Sequence, residues 1–169
     1  MDHNEFFRTA TLNICGNLQI EEAMRETIGS IREVIPVDRM FLQIYEPDLG
    51  AMRTIATASH DQAQSLDLLT PMPPQARELV RKNLKRFLDG AVIVESPEKN
   101  PVAREMLRFH GIEGWSILRM TLTTENNRLG GIVLTAQGPD RYNNNLVELL
   151  SLLKKPFTIA LFNTLTHRE

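Results

Sequence analysis

At 169 residues the chain has the length of about one domain, enough to bury a substantial core and too short to add a second catalytic domain. With 42% hydrophobic and 24% charged residues it has the composition of an ordinary soluble globular protein, and a formal net charge of -2 gives no general attraction for nucleic acid or for an anionic membrane. The single cysteine, Cys15, excludes an intramolecular disulfide and a cysteine-based zinc cluster, and it fits a reducing, cytoplasmic compartment.

Residues Glu5 to Cys15 read as a helix that Gly16-Asn17 breaks. A second helix is predicted from Ile20 to Ile35, where Ile20, Met24, Ile28, Ile31 and Ile35 recur at three- and four-residue steps, and Pro36 closes it. Arg39 to Tyr45 (RMFLQIY) and Ala51 to Ser59 (AMRTIATAS) flank the turn residues Glu46-Pro-Asp-Leu-Gly50, which predicts an antiparallel hairpin. A short strand at Leu66 to Leu69 precedes the Pro71, Pro73, Pro74 cluster. Gln75 to Phe87 then carries a helical apolar face of Leu79, Val80, Leu84 and Phe87, and Ala91 to Val94 reads as another short strand.

Helix signals are clearest at Asn100 to Gly111. Asn100 is suited to cap the first-turn amides, Pro101 to the first helical position, and Gly111 to the left-handed closing conformation. Trp115 to Leu122 and Leu129 to Ala136 flank Glu125-Asn126-Asn127 as a second hairpin. From Leu146 to Leu165 twelve of twenty residues are apolar, too many for one helix face. Pro156 within this stretch predicts a kink near Leu152 if the helix is continuous, or two shorter helices if it is not. Glu148, Lys154, Lys155 and Pro156 exclude the stretch as a membrane span, and the polar start MDHNEFFR is no secretory signal.

Strand alternation divides the side chains into faces. Met40, Leu42 and Ile44 point to a core, which places Phe41, Gln43 and Tyr45 on the other side. Trp115, Ile117, Arg119 and Thr121 share one face of their strand, and Ser116, Leu118, Met120 and Leu122 the opposite one. Ser116 and Arg119 therefore serve one pocket only if a bulge intervenes.

From Asn100 onward the words NPVAREMLRFHGIEGWSILRMTL, RLGGIVLTAQG and YNNNLVELLSLLKKPFTIALFNTLTHRE resemble the second half of GAF domains in bacterial transcriptional activators that work with the nitrogen-type sigma factor. The first half agrees in layout only. The resemblance implies an α+β fold (within the broad α/β class) in which residues 1–169 form a single domain. Its central antiparallel sheet would carry the terminal helices on one face and short helices and loops over a pocket on the other. It implies, too, a longer parent regulator that contacts DNA and RNA polymerase through an ATPase motor and a DNA-binding domain. No Gly-x-x-x-x-Gly-Lys-Ser/Thr phosphate loop occurs in this chain, so the motor is not within it.

Bilin-binding members of the resembled family attach pigment through a cysteine of the pocket segments, and its methionine sulfoxide reductases need several cysteines; one cysteine outside those segments fits neither. The Asn-Lys-Phe-Asp-Glu signature of the cyclic-nucleotide branch has no counterpart. Cys15 reads as a packing residue. His60 and His110 have no His/Asp/Glu partners at metal-ligand spacing, so no metal or cofactor is expected. Arg77, Arg81 and Lys85 share a helix stripe that could attract an anion but reads more plainly as a solvated face. Glu21-Glu22 lies on an outward helix face, and Ser116 lacks the Gly-x-Ser-x-Gly elbow of a hydrolase, so no catalytic residue is nominated.

Polar side chains on strands or middle segments in an apolar setting nominate Gln43, Arg53, His60, His110, Ser116 and Arg119 for the ligand pocket. The leading expectation is a non-catalytic sensory domain that binds a small metabolite or anion and relays occupancy through its terminal helices. The alternative is a ligand-free dimerisation or docking module. A homodimer through the terminal helices is expected because Leu149, Leu152, Leu161 and Phe162 exceed the main apolar stripe, unless Phe6, Phe7 and Leu12 of the first helix cover them within one monomer. Neither direct nucleic-acid contact nor membrane insertion is expected of this domain.

Overall fold

The computed structural model describes residues 2–85, 90–124 and 127–168. The elements run α1 (His3–Cys15), α2 (Ile20–Ile31), β1 (Arg39–Glu46), β2 (Ala51–Ala58), β3 (Ala63–Pro71), α3 (Pro74–Lys82), β4 (Val92–Glu95), α4 (Pro101–Phe109), β5 (Ser116–Thr123), β6 (Leu129–Ala136), α5 (Asn144–Ser151) and α6 (Lys154–Arg168). The Phe87 end of the predicted middle helix and the Glu125–Asn126 tip of the second hairpin lie outside the described residues.

All six strands join one antiparallel sheet in the order β3-β2-β1-β6-β5-β4. The two predicted hairpins sit side by side because β1 pairs with β6, Met40 opposite Leu134 and Gln43 opposite Gly131. The register shifts between Leu42, opposite Ala56, and Gln43, opposite Thr54, so a bulge inserts Ile55 as an extra residue of β2. The extra residue is buried on the same side as Leu42 and Ala56, and beyond it Gln43 faces Thr54 and Tyr45 faces Met52.

Helices α1, α2, α5 and α6 cover one face. Ile20, Met24, Ile28 and Ile31 of α2 and Phe157, Ala160, Leu161 and Leu165 of α6 pack with Met40, Leu42 and Ile44 of β1 and Leu118, Met120 and Leu122 of β5. Phe6, Ala10 and Ile14 of α1 complete this core. The opposite face carries α4, whose Ala103, Met106 and Leu107 bury Phe41, Ile117 and Val133, and it carries α3 beside it. The alternation along β1 and β5 therefore assigns each side chain to the face it occupies.

Several boundaries differ from expectation. Helix α2 is regular only to Ile31; residues 32–34 continue as turns, with Val34 and Ile35 N–H both donating to Ile31 O at 2.9 and 2.8 Å, and the buried Ile35 stands immediately before Pro36, which prevents further helix. Strand β3 is longer than Leu66 to Leu69; its alternation of half-buried and exposed residues suits a sheet edge, where few apolar side chains are needed. Pro156 causes no kink, because the terminal stretch is two helices and Pro156 falls in the first turn of α6, where its missing N–H costs nothing. Asn100 and Gly111 bound α4 as expected: Asn100 Oδ1 accepts from Ala103 N–H at 3.2 Å, and Gly111 has φ +69°.

Candidate functional site

Helix α4 leaves part of its sheet face uncovered, and there the strands form the floor of a cleft of about 230 Å³ walled by α3. Gln43 of β1, Gly131 of β6 and Thr121 of β5 stand in one row across the floor. Gly131 supplies no side chain, so the row is open at its centre. The walls are largely apolar: Tyr45 and Met52 from the first hairpin, Met72 after β3, Ala76, Leu79 and Val80 of α3, and Leu129 of β6.

The lining also carries polar groups. Arg119 of β5 and Glu95 of β4 both line the cleft, their side chains 16% and 14% exposed, with Arg119 Nε 3.5 Å from Glu95 Oε1. That contact is an ion pair without a hydrogen bond, and Arg119 Nε is a buried donor left unsatisfied. The other carboxylate oxygen, Glu95 Oε2, accepts from Asn100 Nδ2 at 2.9 Å. Asn100 thus caps α4 and steadies Glu95 at once. Gln43 is buried, its amide donating to Thr54 Oγ1 at 3.4 Å and approaching Met106 Sδ at 3.3 Å. Thr121 is committed to β4, its hydroxyl accepting from Ala91 N–H at 2.7 Å and donating to Ala91 O at 3.2 Å.

Of the six residues nominated from sequence, Gln43 and Arg119 meet in the cleft, and the other four do not. Arg53 lies opposite Ile44 on the helical face, beyond the helices, where it pairs with Glu46 at 3.0 Å and with Asp67. His60 sits in the exposed turn after β2 beside Asp61. Ser116 is on the face opposite Arg119, and its hydroxyl holds the turn after β6 by donating to Gly138 O at 2.7 Å and accepting from Arg141 N–H at 3.1 Å. His110 follows α4 and packs tilted against Phe41, ring centroids 4.6 Å apart, with Arg39 over the same Phe41 ring at 5.0 Å. Burial, and secondarily the positive charge of Arg39, lowers its pKa from 6.5 to about 4.

No protein-family model matches the chain, and no curated protein matches it. Solved structures do. The phycoerythrobilin-bound GAF domain from a cyanobacterial phytochrome superposes with a TM-score of 0.63 at 18% identity, over 100% of this chain and 99% of that one. The GAF domain of a phosphoenolpyruvate-protein phosphotransferase from Coxiella burnetii gives 0.65 at 15% identity, over 99% and 96%. This chain has the GAF fold. Free methionine-R-sulfoxide reductase from Neisseria meningitidis, in complex with its substrate, matches the same fold at 0.63 and 8% identity, over 98% and 91%.

The cleft of this GAF fold owes most of its lining to residues that carry no obvious signal in the sequence. Glu95 and Asn100 come from a short strand and a helix start, so neither shows the periodicity of an extended face, and Asn100 has a sufficient reason to be there as a cap. Tyr45 and Thr121 were placed on their correct faces by alternation with Gln43 and Arg119; Met52 becomes visible only once the bulge sets the register of β2. The Arg77, Arg81 and Lys85 stripe stays outside the cleft lining, with Arg81 paired to Glu78.

Proposed function

We propose that this GAF domain is a non-catalytic sensor that takes a small metabolite in the cleft between α3 and the sheet and passes occupancy to its terminal helices. The observation that carries the reading is the cleft itself, in which apolar walls converge on a few placed polar groups: Gln43, Arg119, Glu95 and Asn100. Its volume of about 230 Å³ lies below the roughly 300–1,000 Å³ of sites for drug-sized ligands, which favours a small molecule over a pigment or nucleotide. Two of the solved structures named above hold small molecules, a bilin in one and the reductase's substrate in the other. The lone Cys15 is on α1 across the sheet, with its thiol pushed up by partial burial, so this domain has no thiol nucleophile at the cleft.

A route to the helices runs through β6. Gly131 lines the cleft floor, and its neighbour Gly130 meets Leu161 of α6 on the reverse face. A ligand that binds more tightly when β6 is shifted against α6 biases that packing by its difference in affinity and by no more. We read the resemblance of the sequence from Asn100 onward to activators of the nitrogen-type sigma factor as support for a cytoplasmic transcriptional regulator as the parent protein, one whose other domains contact DNA and RNA polymerase. Among the described residues no helix is long and apolar enough to cross a membrane.

The second reading is a dimerisation or docking module, favoured by the exposed Leu18, Ile159 and Phe162 near the terminal helices. Amide NMR of the chain titrated with fractionated small-molecule extracts separates the two. Shifts confined to Gln43, Thr121, Gly131 and neighbouring residues support sensing, whereas an unchanged cleft together with self-association through α6 supports docking.

A further inference from the structure

We propose that the cleft recognises the zwitterionic head of a free α-amino acid with an apolar side chain. The inference rests on the cleft being a ligand site and adds the ligand's chemical class. Arg119 and Glu95 are the charged residues among its lining, and they stand side by side with their side chains largely buried. Their contact is incomplete: Nε of Arg119 has no hydrogen-bond acceptor although Glu95 Oε1 is 3.5 Å away, while Glu95 Oε2 is held by Asn100.

Charge balance then restricts the ligand. A simple anion drawn to Arg119 displaces Glu95 and leaves a carboxylate with only its amide neighbour in a site short of water; a simple cation drawn to Glu95 strands the guanidinium in the same way. A group carrying both charges on one carbon satisfies both. Its carboxylate accepts from Arg119, including the orphaned Nε–H, and its ammonium donates to Glu95, which Asn100 holds in place. The side chain of such a ligand faces the apolar walls of Tyr45, Met52, Met72, Leu79, Val80 and Leu129. Open floor at Gly131 gives the backbone of the ligand room to lie against β6. The modest volume suits one amino acid and disfavours a peptide.

Isothermal titration calorimetry of the 169-residue chain against each proteinogenic L-amino acid tests the assignment, with the desamino and decarboxy counterparts of the tightest binder as controls. For L-leucine these probes are 4-methylpentanoate and isopentylamine. The expected result is saturable binding of an apolar amino acid, with each counterpart weaker by about thirtyfold or more, since each leaves one buried charge unpaired. The Glu95→Gln variant should invert the preference toward 4-methylpentanoate, a readout that mere loss of folding cannot produce, and Glu95→Gln/Arg119→Gln should bind none of the probes while retaining the native circular dichroism. Equal affinity of the wild type for L-leucine and 4-methylpentanoate overturns the proposal in favour of a plain carboxylate site. Absence of binding by every amino acid overturns it too. In that event amide shifts at Gln43 and Thr121 with some other metabolite fraction leave the sensing reading standing, and no shift with any fraction removes it as well.

Discussion

Gly130 of β6 and Leu161 of α6 are in contact as close as the fold permits: a Cβ added to Gly130 would lie 2.9 Å from Leu161 Cδ2 and 2.8 Å from the backbone oxygen of Gln43. The glycine lets the last helix settle against the strand at the place where the reverse face forms the cleft floor.

Gly130→Ala should therefore destabilise the domain by about 1–3 kcal/mol, the usual penalty for forcing volume into a packed contact. It should also shift the amide signals of Gln43 and of α6 together. Urea denaturation and a two-dimensional NMR spectrum check both. A neutral variant with an unchanged Gln43 signal would break the proposed link between cleft and helix.

Leu161 and Phe162 are adjacent in sequence and differ in fate. Leu161 is 1% exposed in the core, so the expectation that it lies outside the main stripe is corrected, and Leu149 is buried likewise; Leu152 and Phe162, at 39% and 37%, remain at the surface. Cover by α1 is only partial, since Phe6 is buried while Phe7 and Leu12 stay exposed. Leu161→Ala should cost about 2–5 kcal/mol of stability. Phe162→Glu with Ile159→Glu, one helical turn apart on an exposed stripe, should leave stability nearly unchanged and convert a dimer to a monomer in analytical ultracentrifugation. A wild-type monomer at every concentration defeats the dimer.

Between pH 6.5 and 4 the folded state should lose stability through His110. Its pKa falls from 6.5 to about 4 on folding because burial and the neighbouring Arg39 disfavour the imidazolium. In that window the unfolded chain binds more protons, so stability rises with pH and the effect is complete above 6.5. His110→Asn should flatten this part of the stability curve, and the His110 ring protons should titrate near pH 4 by NMR. A midpoint at 6.5 would contradict the half-buried contact with Phe41.

Pro156→Ala should lower stability by about 0.4–1 kcal/mol, because proline in a first helical turn restrains the unfolded chain without disturbing the folded one. Chemical denaturation measures it. A stabilised variant would mean that the proline interrupts a continuous helix.

How far the sequence reached depends on the range of the interactions involved. Alternation along Arg39 to Tyr45 and Trp115 to Leu122 was enough to sort Gln43 from Leu42 and Arg119 from Ser116, since a strand's faces are set locally. The choice of face for the pocket was not local: it depends on α4 burying Phe41, Ile117 and Val133 and reaching Gln43 only through Met106, which leaves the floor at Thr121 and Gly131 to the cleft. Polarity alone misled at Arg53, which answers to Glu46 and Asp67, and at Ser116, which answers to the backbone at Gly138 and Arg141. Glu95 drew no notice because its partner Arg119 is reached only through the pairing of β4 with β5.

The central pairing of β1 with β6 places Met40 beside Leu134, so the middle of the sheet joins chain segments separated by more than half the domain's length. Closing so long a loop is entropically slow, and on a ribosome the first hairpin leaves the exit tunnel with its β1 edge open until the second arrives. During that interval the edge invites pairing with a neighbouring nascent chain. Synthesis rate downstream of Glu46 therefore bears directly on how much of this domain reaches its native sheet.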